Sequence, residues 1–274
     1  MHHNQFKAEG KTYWMHLCVP CDLWFSPIKD FESVNNDQYF HQFEGIEDSR
    51  IEQARIRLDQ IRKHFDLHQK SVLEIGCAYG DLLGVIKQEY SSCSVQGLED
   101  SQKLCEHNQN NGLPCNPEIS QIEVGSVDLV VANHVIEHFQ TIDDFFSILN
   151  HAGRRTHEVF ISLPNRKNYW VLKGLIPDLH VPFHRYYYTL NQILTQFQNR
   201  GYTVLEARTV EAGRAKANLT QAFYNQYRSD LDTFKKEYPQ RLEELENIKN
   251  WEELERQIEA AELGSETLIY VRTS

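Results

Sequence analysis

With 274 residues, the chain has room for one sizeable α/β core with elaborations and is short for two full domains. Hydrophobic residues make up 41% and charged residues 24%, the balance of a soluble globular protein, and no apolar run approaches the ~20 residues of a membrane span. A formal net charge of −11 repels phosphate backbones and makes nucleic acid a poor partner.

The N-terminal MHHNQFKAEGKTYW lacks the apolar core of a signal peptide. Of the six cysteines only Cys18 and Cys21 are closely spaced, so reduced thiols in a cytoplasm are the simplest reading. The stretch to about Asp37 reads as aromatic-rich and irregular. Over 49–65, Ile51, Ala54, Ile56, Leu58, Ile61 and Phe65 recur among charges and predict an amphipathic helix. SVLEIG at 71–76 is a short apolar run ending in glycine, the pattern of a buried parallel strand. A helix follows over 79–90, a strand at 94–99 and a helix over 101–110. VDLVVAN at 127–133 is the clearest buried strand. Helix 142–152, strand EVFISL at 158–163, helix 189–200 and strands at 202–209 and 266–272 complete the series. Strands that alternate with helices imply crossovers and a parallel sheet covered on both faces. Residues 210–264 interrupt the series. Leu231, Phe234, Tyr238, Leu242, Leu245, Ile248, Trp251, Leu254 and Ile258 recur there at steps of three and four, a helical stripe that Pro239 should divide. Three parts result: an N-terminal segment over 1–36, a main domain over 37–209 plus 265–274, and a helical insertion over 210–264 that serves as a lid or a homodimer surface.

The segment VLEIGCAYGDLL is a strand, a glycine turn and a helix start. Gly76 and Gly80 let the backbone turn sharply and approach a ligand, with helix N–H groups facing it. A dinucleotide fingerprint would need glycines at 76, 78 and 81; the chain has Gly76, Ala78 and Asp81, which disfavours a nicotinamide oxidoreductase. About twenty residues on, a strand ends in Glu99, where an acid can accept hydrogen bonds from the ribose hydroxyls of an adenosine.

Together these motifs resemble the class I S-adenosylmethionine-dependent methyltransferases. Glu74, Gly76 and Gly80 are similar to the first motif of that family, and VQGLED supplies its second-strand acid, Glu99. VDLVVANHVIEHF at 127–139 resembles its fourth-strand motif. The Glu137–His138 pair, SLPN at 162–165 and HRYYYTLNQI at 184–193 look like the small-molecule O-methyltransferase branch of the ubiquinone-biosynthesis type. Ala78 departs from the glycine that many members carry. The resemblance implies an α/β fold with a doubly wound, mostly parallel seven-stranded Rossmann-like sheet, and S-adenosyl-L-methionine as cofactor. It also implies that Glu74 and the backbone around Gly76, Cys77 and Gly80 hold the methionine portion. Glu99 would bind the ribose, and Asn133 and His134 would lie beneath the methionine end. Tyr39 and Phe43 resemble an aromatic cover over the cofactor, with anchoring of the N-terminal segment as the alternative. Asp128 would be structural.

A methyl group on a sulfonium has an excellent leaving group, so the protein supplies mainly binding and alignment, and no metal is required in principle. A hydroxyl acceptor is a weak nucleophile that gains from a general base. His138 and His184 are the candidates by position, with His180 a weaker third. The alternative is a binding or assembly protein on the same fold. Residues 13–27 resemble the second knuckle of a zinc ribbon that precedes some methyltransferases of this family. A structural site needs four ligands, the first knuckle is missing, and the spacing of His2, His3 and His16 is not that of a known site, so no stoichiometric zinc is expected at Cys18 and Cys21. Trp24 and Phe25 should pack against the main domain.

Overall fold

The computed structural model describes residues 2–8, 11–21, 23–26, 45–172, 184–211 and 248–273. Tyr39, Phe43 and His180, and residues 212–247 of the insertion, lie outside these residues.

The main sheet grows from two strands with no polar face to give to water: β4 (Ser71–Ile75) and β7 (Val127–Asn133). They pair in parallel, Ile75 opposite Ala132. On the far side of β4 come β5 (Ser94–Leu98) and the two-residue β6 (Cys115–Asn116), both parallel. On the far side of β7 comes β8 (Gly153–Pro164), also parallel. Next to β8 lies β11 (Glu266–Thr273), antiparallel, and β10 (Tyr202–Val210) closes the edge. The order is β10-β11-β8-β7-β4-β5-β6. The direction of strand succession reverses between β4 and β7, and ligands of open α/β sheets bind at the carboxyl ends of the strands beside such a switch.

Alternate side chains of β7 enter two separate cores, as a period of two demands. Leu129 and Val131 meet Leu58 and Ile61 of α1 (Glu47–Ile61) and Leu83 and Ile86 of α2 (Asp81–Glu89). Val130 and Ala132 meet Phe145 and Leu149 of α4 (Ile142–Ala152) and Ile193 and Phe197 of α6 (Leu190–Gln198). The helix α3 (Gln102–Asn110) begins where Ser101 accepts a hydrogen bond from Leu104 N, and α4 begins on a capping box between Thr141 and Asp144. The expected helix over 49–65 stops at Ile61, and Phe65 reaches the core from a following turn, beside Tyr270 at 5.9 Å. Asp128 has the structural role expected of it: it accepts from Ser71 N at 2.9 Å and pairs with Arg154.

The N-terminal stretch differs from the irregular segment expected. β1 (His2–Ala8) and β2 (Lys11–Cys18) form an antiparallel hairpin, β3 (Leu23–Phe25) continues it, and β9 (Tyr186–Tyr187) completes a second, four-stranded sheet. In β2, Met15 is enclosed and Trp14 exposed. Trp24 and Phe25 do tie the segment down: Trp24 pairs with Tyr187 and lies under the Arg166 guanidinium at 5.4 Å, and Phe25 stacks on His16.

Of the insertion, the described part is α7 (Trp251–Ala260), capped by Asn250, whose side chain accepts from Glu253 N. Its stripe of Ile248, Trp251, Leu254 and Ile258 packs on Tyr169 and Trp170 of α5 (Tyr169–Leu172), just past the carboxyl end of β8. No helix among the described residues is long and apolar enough to cross a membrane.

Candidate active site

The turn after β4 is built from residues whose backbone enters the left-handed region: Gly76 (φ +66°), Ala78 (φ +46°) and Gly80 (φ +72°). Glycine is required twice over at its two positions. A Cβ on Gly76 would meet Val135 Cγ2 at 2.6 Å, and one on Gly80 would meet Asn108 Oδ1 at 2.4 Å. Both contacts also show what braces the turn. The β7 loop presses on Gly76, and α3 presses on Gly80 through the fully buried Asn108, which donates to Ala78 O at 2.8 Å. Arg50 of α1 adds a third brace through Asp81 at 2.8 Å. Cys77 contributes backbone only: its side chain points inward, 3.7 Å from Cys115 Sγ.

Glu99 stands opposite this turn at the end of β5, where the resemblance puts a ribose-binding acid. Its two oxygens accept from Ala78 N at 2.9 Å and Ser101 N at 3.1 Å. A carboxylate has about four acceptor positions, so capacity remains for two donors. Burial pushes Glu99 up to about 7, against the pull of the Ser101 and Ala78 amides. Glu74, on the neighbouring β4 two residues before Gly76, is also buried. Desolvation, reinforced by the nearby Asp81 and Glu99, holds it well above the usual carboxyl range, and its Oε2 has no hydrogen-bond partner among the described residues. A ligand with vicinal hydroxyls at Glu99 and an amine at Glu74 would satisfy both acids, so these residues fit an adenosine linked to an amino acid.

The other half of the site lies past β7. Asn133 ends the strand and accepts from Ser162 Oγ. His134 follows at φ +53°, with Nε2 2.8 Å from Glu266 and Nδ1 3.5 Å from Glu137. Partial burial disfavours its charge, yet hydrogen bonding to Glu137 and Glu266 raises it to about 9. Arg57 of α1 donates to the same Glu266 oxygen, Oε1. Glu137 and His138 sit in a single 3-10 turn, Ile136–His138. Arg185 N donates to Glu137 O at 2.9 Å and so brings the 184–187 segment alongside. The rings of His138 and His184 meet edge to face at 4.8 Å, and His184 Nε2 lies 4.0 Å from Glu137. Burial works against a charge on Glu137, but His134, His184 and His138 hold it down near 2.

The residues expected from sequence therefore form two groups. Glu74, Gly76, Cys77, Gly80 and Glu99 gather at the turn, and Asn133, His134, His138 and His184 gather past β7. Val135, wedged against Gly76, joins them. Asn108, Arg57 and Glu266 were not anticipated, since their partners lie on remote segments and no local pattern marks them.

A family profile for the methyltransferase domain matches residues 41–207. No curated protein matches the chain. Among solved structures, a SAM-dependent methyltransferase from Archaeoglobus fulgidus superposes with a TM-score of 0.57 at 16% identity, covering 86% of this chain and 100% of that one. A chain from the complex between the Haloferax volcanii Trm112 methyltransferase activator and a candidate methyltransferase gives 0.56 at 12%, covering 90% and 99%. The cyclopropane synthase MmaA2 of Mycobacterium tuberculosis gives 0.51 at 15%, covering 82% and 83%. At such identities the structural likenesses speak for the fold alone; the profile, which spans more than half the sequence, shows that the chain belongs to the methyltransferase-domain family, with S-adenosylmethionine as its expected cofactor.

Proposed function

We propose that the chain transfers a methyl group from S-adenosylmethionine to a small-molecule acceptor, at a hydroxyl oxygen. The observation that carries this reading is the convergence of His138 and His184 beside Glu137, on a loop whose Val135 packs on Gly76. Proton-accepting groups and the cofactor turn thus share one end of the sheet. When bound, the cofactor supplies an electrophilic methyl on a sulfonium leaving group. The backbone at Gly76, Cys77 and Gly80 holds the methionine portion, Glu74 accepts from its amine, and Glu99 accepts from the ribose hydroxyls. Asn133 and His134 lie beneath the methionine end, and Tyr39 closes over the cofactor. His138 or His184 takes the acceptor's hydroxyl proton, while Tyr186, Tyr187 and Tyr188 shape an aromatic acceptor pocket. The insertion acts as a lid over that pocket. A net charge of −11 favours a small acceptor over a polyanion.

The test pairs binding with turnover. Glu99→Ala should weaken binding of the demethylated cofactor product by ~1.5–3 kcal/mol, the worth of charge-assisted hydrogen bonds. His138→Ala or His184→Ala should slow turnover at saturating acceptor by ~10²–10⁴. A methylated product whose new methyl is bonded to nitrogen or carbon would overturn the choice of oxygen. Losses below about tenfold in both histidine variants would overturn the base assignment.

A further inference from the structure

Among the described residues, one group of histidines and acids has both the donor set and the closeness of a metal centre: Glu137, His138 and His184, whose ligand atoms lie within 4.8 Å of one another. We propose that these three residues bind one divalent transition-metal ion, and that the ion's open positions receive the acceptor's hydroxyl oxygen.

Four observations support this. Two imidazoles and one carboxylate, with positions left open, suit zinc, iron or cobalt ions. Glu137 is 1% exposed, and its carboxylate has imidazole nitrogens of His134 and His184 at 3.5 and 4.0 Å. His134 compensates this buried anion from one side, and an ion held with His138 and His184 would compensate it from the other. An outer chain of partners also exists to orient the carboxylate, running from Glu137 to His134, Glu266 and Arg57. Lastly, His138 is only half-buried, which leaves an entry path. Bonds of about 2.1 Å put the ligands of a shared ion ~3–3.4 Å apart. The ligand atoms lie within 4.8 Å of one another, so the gaps close by up to ~1.4–1.8 Å to reach that spacing, a shift that side-chain torsions can supply.

The role of the ion, though not its binding, rests on the proposed function. A hydroxyl held by the ion gives its proton to solvent more readily. Its oxygen lone pair then forms the new C–O bond as the C–S bond breaks, with that electron pair going to sulfur to leave a neutral thioether. In this arrangement the two imidazoles are ligands, and the ion does the work otherwise assigned to a base.

The experiment uses the untagged full chain, stripped with chelator and carrying Cys18→Ser and Cys21→Ser so that these thiols cannot compete. Cobalt(II) is titrated in, followed by visible absorption and elemental analysis. One cobalt per chain is expected. Glu137→Gln and His138→Gln should each weaken its binding by more than about 100-fold, beyond the loss typical of an outer partner. Binding of the demethylated cofactor product, measured on the same samples, should stay intact and certify the fold; His138 is half-buried, so its variant serves if Glu137→Gln unfolds. Absence of stoichiometric cobalt, or cobalt that survives both substitutions, overturns the site. A second arm separates this idea from the methyltransferase reading. If chelated protein methylates its acceptor at full rate while His138→Ala does not, the metal is wrong and the imidazole base stands. If turnover falls on chelation and returns with added cobalt or zinc, the metal role holds.

Discussion

Gly76 is confined by its backbone and by its neighbour at once. A left-handed φ costs an ordinary residue roughly 1–2 kcal/mol, and a methyl at 2.6 Å from Val135 adds overpacking of ~1–3 kcal/mol. Gly76→Ala should therefore lower stability in urea by about 2–5 kcal/mol and cost at least about tenfold in affinity for the demethylated product, the equivalent of 1.4 kcal/mol. Glu99 makes a prediction with a sign. Its value in the ligand-free fold is about 7 against 4.5 for the free side chain, so the unfolded chain loses that proton first. Stability from this group is accordingly present at low pH and falls as pH rises from about 4.5 to about 7, by about 3 kcal/mol in all. Cofactor affinity should move the opposite way over the same interval, since ribose hydroxyls need an ionised acceptor. Glu74, Asp100 and Asp81 face the same pocket, so the control is Glu99→Gln: urea titrations and calorimetry at pH 5.5 and 8 should show both trends flattened. Both residues were legible in the sequence because a glycine turn and a strand-terminal acid are local signals. Asn108 was not: an asparagine inside a helix reads as a surface residue until α3 is docked on the turn.

Among the elements, those buried on both faces could be read directly. VDLVVAN carries an unbroken apolar run from Leu129 to Ala132, and all four side chains are fully buried. The four-stranded N-terminal sheet could not, because its β3 and β9 are two- and three-residue pieces whose pairing is decided by a partner more than a hundred residues away. That sheet bears on the candidate site: Ser26 N donates to Arg185 O at 2.9 Å, next to His184, so the N-terminal strands back the segment that carries His184. The insertion was legible as a helical stripe, and α7 keeps that promise where it is described. Its tilted ring contact between Trp251 and Trp170, at 5.9 Å, fastens it beside the carboxyl end of β8. Replacing 214–262 by a short linker should leave binding of the demethylated product within about threefold, under 1 kcal/mol, and abolish turnover. Persistent turnover in that deletion would reduce the insertion to packing.

At the scale of the molecule, the loop past β7 depends on residues contributed from separate elements. Arg57 lies on α1, Glu266 on β11, His134 past β7 and Glu137 on the following turn, with sequence separations of 209 between Arg57 and Glu266 and 132 between Glu266 and His134. No periodicity or motif could announce such a chain of charges; only the sheet order brings it together. Glu266→Ala would leave the mostly buried Arg57 without its counter-charge, at a cost of ~3–5 kcal/mol. It would also release His134 from its place beneath the methionine end, so turnover and affinity for the demethylated product should both fall, with the glycine turn, braced independently by Asn108 and Arg50, keeping residual binding. Thermal denaturation and calorimetry on the same variant separate the two effects.

The place of β11 in the sheet has a consequence for biogenesis. This strand comes late in the chain, yet it sits between β8 and β10 and carries Glu266 at its first position. During synthesis, which delivers the N-terminal part first, β10 emerges with no neighbour to pair with, and the exposed edge of β8 waits through the entire insertion. A ribosome-stalled nascent chain ending before Glu266 should therefore hold a formed glycine turn beside an open, aggregation-prone sheet edge. It would gain protease resistance in the 202–210 segment only when the final strand is released from the exit tunnel and slots in.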